Sequence, residues 1–340
     1  MNIEIITTSN EKLKESGFGS LKSCNNVLES ITKMGHNVRL NICSNKEDLE
    51  KVVKRKPDLV LLAVKYLSLN HTKDIWLSDY FDKHFINYSA SSRETLEFDS
   101  NKVLAKLHLK NKGIKIAEYF TATPGEYKSV EELPISFPLF LKPIDAANGN
   151  GIDDLSFVTN FIDYESKVLS LHNTFGEPVL VEEYLDGKEF TVAVVQTQEE
   201  GLIISPIEII PKPSKNGIRI LGHKAKTEDT EELKKVIDIP LKIKLIKLVS
   251  DVFKELNIRD YGRIDIKTNK AGECFFMEAN LVPGMTKGSS YYPKAHEIEN
   301  NLSYDEVVGL MVSKGLSRVT SVTPLCQNIS VHNDTIVSSA

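Results

Sequence analysis

Residues 262–295 read GRIDIKTNKAGECFFMEANLVPGMTKGSSYYPKA, and the rest of the chain is best approached from this stretch. GRIDIKT and ECFFMEAN flank the turn-forming NKAG, which predicts an antiparallel hairpin. Side chains alternate faces along a strand, so Arg263, Asp265 and Lys267 are expected on one face and Ile264 and Ile266 on the other. By the same rule Glu278 and Asn280 share a face opposite Phe275, Met277 and Ala279. Pairing the strands brings Asp265, Glu278 and Asn280 together as oxygen donors with no nitrogen or sulfur ligand among them. Such a hard set suits Mg²⁺, which takes few carboxylates and completes its shell with water and phosphate oxygens. Solvated acids on an exposed sheet face are the bland alternative, because two carboxylates and an amide are a weak signal alone. The PGMTKGSS that follows adds a glycine and small hydroxyl residues, whose backbone N–H groups can approach a carboxylate or phosphate closely.

Upstream, the chain opens with short apolar runs alternating with helical patterns. Asn2 to Thr7, Asn37 to Ile42 and Leu59 to Val64 read as strands, with a helix from Leu21 to Met34 stopped at Gly35. That is an α/β unit with a parallel sheet. Asp99 or Ser100 is expected to cap a helix through KVLAKLHLK that ends at Gly113. IAEYF and FPLFLKP then read as strands, the second leading into the glycine-containing IDAANGNGID. From Pro178, VLVEEYL, EFTVAVVQ and LIISPIEII read as successive strands, and Leu241 to Leu256 as a helix. The polar segment between Pro211 and Asp238 holds Lys212, Lys215, Lys224 and Lys226, and loops of that length are uncommon unless functional or disordered. The division expected is 1–98, an α/β substrate domain, then 99–177, a small central unit, then 178–340, a larger catalytic unit.

Composition narrows the classes. A chain of 340 residues, 41% hydrophobic and 26% charged with net charge -5, reads as globular and argues against non-specific nucleic-acid binding. A phosphate-bearing ligand therefore needs local lysines. No membrane span or secretory leader is legible, so a cytoplasmic setting is expected. Cys24, Cys43, Cys274 and Cys326 lack CxxC spacing and read as reduced thiols. No G-x-G-x-x-G follows the first strand, which sets aside a nicotinamide dehydrogenase.

The run from Gly262 resembles the C-terminal signature of the D-alanine:D-alanine ligases, in which an R-x-D strand, an E-x-N strand and a P-G-M/F-T loop ending in Ser are diagnostic. The resemblance extends back through VLVEEYLDGKEFTV and FPLFLKP to about Asn101. It implies the ATP-grasp fold: an N-terminal parallel α/β domain followed by two α+β subdomains that clasp ATP. It also implies an ATP-dependent carbon–nitrogen ligase working through an acyl-phosphate, with two Mg²⁺ ions (Mn²⁺ as a substitute) on Asp265, Glu278 and Asn280. Arg263 and the Gly284 N–H would stabilise the tetrahedral intermediate, and Ser289 would bind the acceptor's carboxylate. The partners implied are a carboxylate donor, an amine acceptor and a second copy of the chain as a homodimer.

ATP carries about four negative charges, so an acidic protein must gather cations and backbone donors around it. Lys142, ending a short apolar strand before the glycine stretch, suits an α- or β-phosphate, and the resemblance places Lys102 beside the nucleotide too. AANGNG corresponds to a mobile loop over the phosphates, with N–H donors from Asn148, Gly149 and the residues to Gly151. Glu182 with the backbone of Glu183 and Leu185 corresponds to the adenine-edge segment, and Glu189 to the ribose carboxylate. Phe140 and Met277 are candidate walls for the base, although apolar strand residues are more often plain core. Lys226 corresponds to a closing-loop residue that reaches the γ-phosphate or the intermediate.

The N-terminal third departs from the family. FGSLKSC places Phe18 where the ligases have a glutamate that grips the donor's ammonium, and LAVKYLSLNHTKD lacks their H-G-x-x-G-E-D-G run. A buried ammonium without its carboxylate costs several kcal/mol. This predicts a donor other than D-alanine, in a pocket lined by Phe18, Ser20, Lys65 and His71, while the retained Ser289 predicts an amino-acid-like acceptor. The opposing reading has Phe18 packed internally and another acid, such as Glu15, in its place, which leaves a D-alanine:D-alanine ligase. A non-catalytic nucleotide-binding regulator is the alternative from another class.

Overall fold

The computed structural model describes residues 1–8, 17–68, 74–144, 149–199, 201–213, 217–222 and 230–320. Strands β1 (Asn2–Thr7), β2 (Asn37–Ile42) and β3 (Leu59–Leu62) form a parallel sheet of order β2-β1-β3, with α1 (Leu21–Lys33) and α2 (Lys46–Arg55) as its crossovers. Continuous apolar runs drive it, since β1 and β3 are buried on both faces, with Ile3, Ile5, Ile6 and Leu59 to Leu62 fully buried or nearly so. β3 ends at Leu62, two residues short of the expected Val64, where the chain turns toward the short pair β4 (Tyr66–Leu67) and β5 (Ile75–Trp76). Helices α3 (Leu77–Lys83) and α4 (Arg93–Ser100) follow. The cap of α5 (Lys102–Asn111) is Asn101, whose side chain accepts from the Leu104 N–H, rather than Asp99 or Ser100. Asp99 is withdrawn from capping by other work: it accepts from the Leu281 N–H at 2.6 Å and pairs with Lys65 at 2.7 Å.

A second sheet holds β6 (Tyr119–Ala122), β7 (Leu139–Pro143), β8 (Phe157–Val158) and β9 (Val179–Glu183) in the order β6-β9-β7-β8, all antiparallel. Helix α6 (Phe161–Phe175) covers it, and Phe120, Leu141, Tyr164, Val168 and Val181 make a core of its own. The expected boundary at 177 falls just before β9, whose two pairings tie it to this sheet, while Ala105 and Leu109 of α5 join the larger core. We therefore propose a central unit running from about β6 to the end of β9.

The third sheet contains β10 (Glu189–Gln196), β11 (Leu202–Ile210), β12 (Glu232–Lys235), β13 (Tyr261–Thr268) and β14 (Cys274–Asn280), in the antiparallel order β12-β11-β10-β13-β14. Its helices are α7 (Ile239–Glu255), α8 (Tyr291–Asn300) and α9 (Tyr304–Thr320). α7 starts where Asp238 accepts from the Leu241 N–H with Pro240 in the first turn, which sets its start two residues ahead of the expected Leu241. One continuous core joins this sheet to the N-terminal one, running from Ile3 and Leu59 to Phe190, Ile264 and Phe276. Gly315 of α9 packs tightly enough that a Cβ there would meet the Leu59 side chain at 2.8 Å. Among the described residues no helix is long and apolar enough to cross a membrane.

The expected hairpin forms, with one departure. Asp265 pairs with Glu278 but Ile266 pairs with Phe276, leaving Met277 as an extra residue in β14. A bulge of this kind breaks simple alternation. Phe276 is thereby turned into the core, fully buried, and Met277 no longer faces away from Glu278. Truncating Phe276→Ala leaves a cavity where both helices and sheet meet, and the expected loss is about 3–5 kcal/mol in urea-unfolding stability. A loss under about 1 kcal/mol would contradict this placement of the bulge.

Candidate active site

Where the second and third sheets face each other lies a partly open cleft. Phe140, Tyr184, Leu185 and Met277 supply apolar walls, and Lys142, Glu182, Glu189, Asp265, Lys267 and Glu278 line its polar parts. The bulge explains why Met277 and Glu278, neighbours in sequence, both reach this cleft. Ile152, Ile220 and Leu221 complete the wall, which sequence reasoning did not anticipate. The signal for them is a contact between two loops: a Cβ on Gly222 would come within 2.4 Å of the Ile152 carbonyl oxygen.

β13 sets out the polar face. Its neighbours in register are Thr191 opposite Asp265, Glu189 opposite Lys267, Glu278 opposite Asp265 and Asn280 opposite Arg263. Asp265 takes a two-pronged pair of bonds from Arg263, both at 3.0 Å, one from the Thr191 hydroxyl at 2.6 Å and a long one from the Asn280 amide at 3.4 Å. Arg263 also lies over the Tyr291 ring, 5.7 Å from its centroid. Lys267 sits 3.8 Å from Glu189 and 5.2 Å from the centroid of Tyr184, beside the position expected for a ribose.

Three further lysines among the described residues approach the cleft's carboxylates. Lys102 stands 3.6 Å from Glu278. Glu182 receives Lys106 at 2.7 Å on one oxygen and Lys142 at 2.8 Å on the other, all three side chains no more than 5% exposed. Glu182, expected at the adenine edge, thus has its carboxylate committed to lysines. Burial alone would raise the pKa of Glu182, but the two ammonium groups prevail and lower it from 4.5 to about 2. Burial lowers that of Lys106, and for Lys142 the pull of burial is outweighed by Glu182 and Glu278, which raise it. Lys106 was not anticipated from the sequence, although it follows Lys102 by four residues on the same helix face.

Other expected residues fall less simply. The Glu183 N–H donates to the Glu118 carbonyl and its side chain accepts from the Glu118 N–H, so that donor is not free for a base. Gly149 and Gly151 both have left-handed φ, at 71° and 78°. Gly151 packs against the central core, where a Cβ would meet Pro143 at 2.6 Å and Phe175 at 2.8 Å. Asn148 and Lys226 lie outside the described residues, as do Glu15, His71 and Lys224.

The PGMT loop docks on the N-terminal unit: the Met285 N–H donates to the Phe18 carbonyl, Thr286 and Ser23 hydroxyls meet at 2.6 Å, and the Lys287 N–H reaches Asn26. Ser290, not Ser289, closes the loop by accepting from the Thr286 N–H at 2.8 Å, and it stands against Gly284. Ser289 is exposed. Phe18 is fully buried in the main core and Lys65 is 2% exposed against Asp99, so neither opens a pocket wall as expected from the sequence.

The sequence profile described as D-ala D-ala ligase C-terminus matches residues 108–313. The chain belongs to that family. It is an ATP-dependent carbon–nitrogen ligase of the D-Ala-D-Ala ligase type with the ATP-grasp fold. A D-alanine–D-alanine ligase of Aquifex aeolicus is 26% identical over 296 residues, 86% of this chain and 94% of that one. A Bacillus anthracis D-alanine–D-alanine ligase solved with ATP superposes with a TM-score of 0.72 at 22% identity, covering 95% of this chain and 100% of that chain. The VanG D-Ala:D-Ser ligase of Enterococcus faecalis gives 0.69 at 18%, over 92% and 99%.

The donor set of this ligase fits magnesium. Asp265 and Glu278 face each other across the hairpin with Asn280 two residues on, and two carboxylates leave room for water and phosphate oxygens. Among the described residues no group of three or more His, Cys, Asp or Glu gathers around a metal-sized point, which sets this site apart from an all-protein cage.

The depressed pKa of Glu182 fixes a sign. Its contribution is present above the ordinary 4.5 and is lost as the pH falls toward about 2. Urea unfolding between pH 6 and pH 3 should therefore cost wild type more stability than Glu182→Gln, and equal losses would refute the assignment.

Proposed function

We propose that this ligase joins a carboxylate donor to an amino-acid-like amine acceptor through an acyl-phosphate, releasing ADP and phosphate. The observation that carries the reading is the convergence, in one cleft, of Lys142 with the facing pair Asp265 and Glu278. A carboxylate is a poor electrophile, and phosphorylation turns one of its oxygens into a leaving group. A donor oxygen attacks the γ-phosphorus, and the bond to the β-bridging oxygen breaks to release ADP. The acceptor's free amine then attacks the acyl carbon, loses a proton and expels phosphate.

In this reading Lys142 and Lys102 neutralise phosphate charge, and Arg263 with the Gly284 N–H meets the oxyanion. Ser289 takes the acceptor's carboxylate. Glu189 and Lys267 face the ribose, and Phe140, Met277 and Leu185 hold the base. Asp265, Glu278 and Asn280 would hold Mg²⁺, which when bound supplies further charge neutralisation of the phosphates. Asn148, Gly149 and Lys226 are assigned to loops that keep water from the acyl-phosphate. A homodimer in the cytoplasm completes the proposal.

A second reading takes D-alanine on both sides, as the names of the relatives suggest. It is favoured by the full burial of Phe18, which leaves the donor's ammonium to some other acid. The missing H-G-x-x-G-E-D-G run weighs against it. Phosphate release with D-alanine alone distinguishes the two, since a ligase of unlike substrates turns over only with a pair. The intact set of Arg263, Asp265, Glu278 and Asn280 speaks against a silent regulator.

The test is an ADP-release screen of amino acids and small acids, singly and in pairs, with mass detection of the product. Glu278→Gln and Lys142→Ala should each lower kcat by about 100-fold or more while circular dichroism stays unchanged. Full activity in both variants would remove the site from consideration.

A further inference from the structure

We propose that Lys106 is a positioning residue of the nucleotide site, the resident counter-ion of Glu182 that lets Lys142 leave this carboxylate for the phosphates of ATP. The inference rests on the assignment of the cleft to ATP and deepens it.

One carboxylate here serves two ammonium groups, each on its own oxygen, at 2.7 Å for Lys106 and 2.8 Å for Lys142. The cluster sets two ammonium groups against one carboxylate, with Glu278 as a further anion acting on both lysines, and buried ammonium groups are costly unless anions complete their surroundings. The two lysines differ in where they stand. Lys142 lines the cleft, whereas Lys106 does not and is fully buried. Lys106 is also held from behind, 3.5 Å from the carbonyl oxygen of Phe276 in the core strand β14. Both contacts are ion pairs to one carboxylate, and Lys142, which lines the cleft, is the one placed to turn toward a triphosphate.

When it does, Glu182 keeps Lys106 and is not left as an isolated buried charge. Without Lys106 the carboxylate would hold Lys142 as its sole partner, and nucleotide phosphate would have to compete for it. One turn earlier on α5, Lys102 faces Glu278. The helix thus carries counter-ions for a carboxylate on each side of the cleft, which ties its position to the charge balance of the whole site.

Titration calorimetry of wild type, Lys106→Met and Glu182→Gln with ATP in magnesium buffer, and separately with adenosine, tests the exchange. The readout is the ratio of the adenosine Kd to the ATP Kd, which isolates the phosphates from the base. In Lys106→Met this ratio should shrink on the order of tenfold with adenosine binding unchanged. In Glu182→Gln, where nothing retains Lys142, it should grow. The second variant decides the matter if the first fails to fold. A ratio unchanged in both, or an equal loss of adenosine and ATP affinity in Lys106→Met, overturns the proposal alone. A wild-type protein that binds adenosine and ATP equally overturns the nucleotide assignment and this inference with it.

Discussion

The pairing of β13 with β10 on one side and β14 on the other is the constraint from which the site follows. Because register in an antiparallel sheet fixes which side chains stand opposite each other, a single strand sets Thr191, Asp265 and Glu278 in one row and Glu189 and Lys267 in the next. A slip of one residue would send Asp265 into the core and Ile264 into the cleft. The buried face of the same strands resists that slip, since Ile264, Ile266 and Phe276 are all fully buried.

The polar face is expensive to build. Arg263, Asp265, Lys106, Glu182 and Lys142 are largely or wholly removed from water, and isolated charges in such surroundings would not remain ionised. Each has a charged partner: α5, β7 and β9 contribute one member apiece to the glutamate cluster, and Arg263 and Asp265 pair along β13, with Thr191 and Asn280 of the neighbouring strands also bonded to the aspartate. The network therefore depends on the second and third sheets being in place together, and it links the cleft to both.

The N-terminal unit is coupled to the same cleft by a backbone bond, polar side chains and a buried ion pair. Phe18 is buried, but its carbonyl holds the Met285 N–H, and Ser23 and Asn26 hold the two residues that follow. Asp99 ties the chain just beyond Asn280 to Lys65 at the end of the parallel sheet. A loop suited to an acceptor is thus positioned by the domain expected to receive the donor.

Periodicity and turn residues in the sequence determined the parallel sheet, the hairpin and its metal-suited acids, because those features depend on neighbours within a few residues. The resemblance carried by GRIDIK, CFFMEAN and PGMT determined the fold and the class of reaction for the same reason, each motif being a local piece of backbone with its side chains. Only the tertiary structure decided that Met277 is a bulge, that Glu182 is shared by two lysines, that Gly151 packs against the central core, and that Phe18 is core. Each of these depends on what a distant segment places against the residue. Strand alternation cannot reveal an inserted residue without its partner strand, and a lysine's partner can lie 76 residues away, as Glu182 does from Lys106.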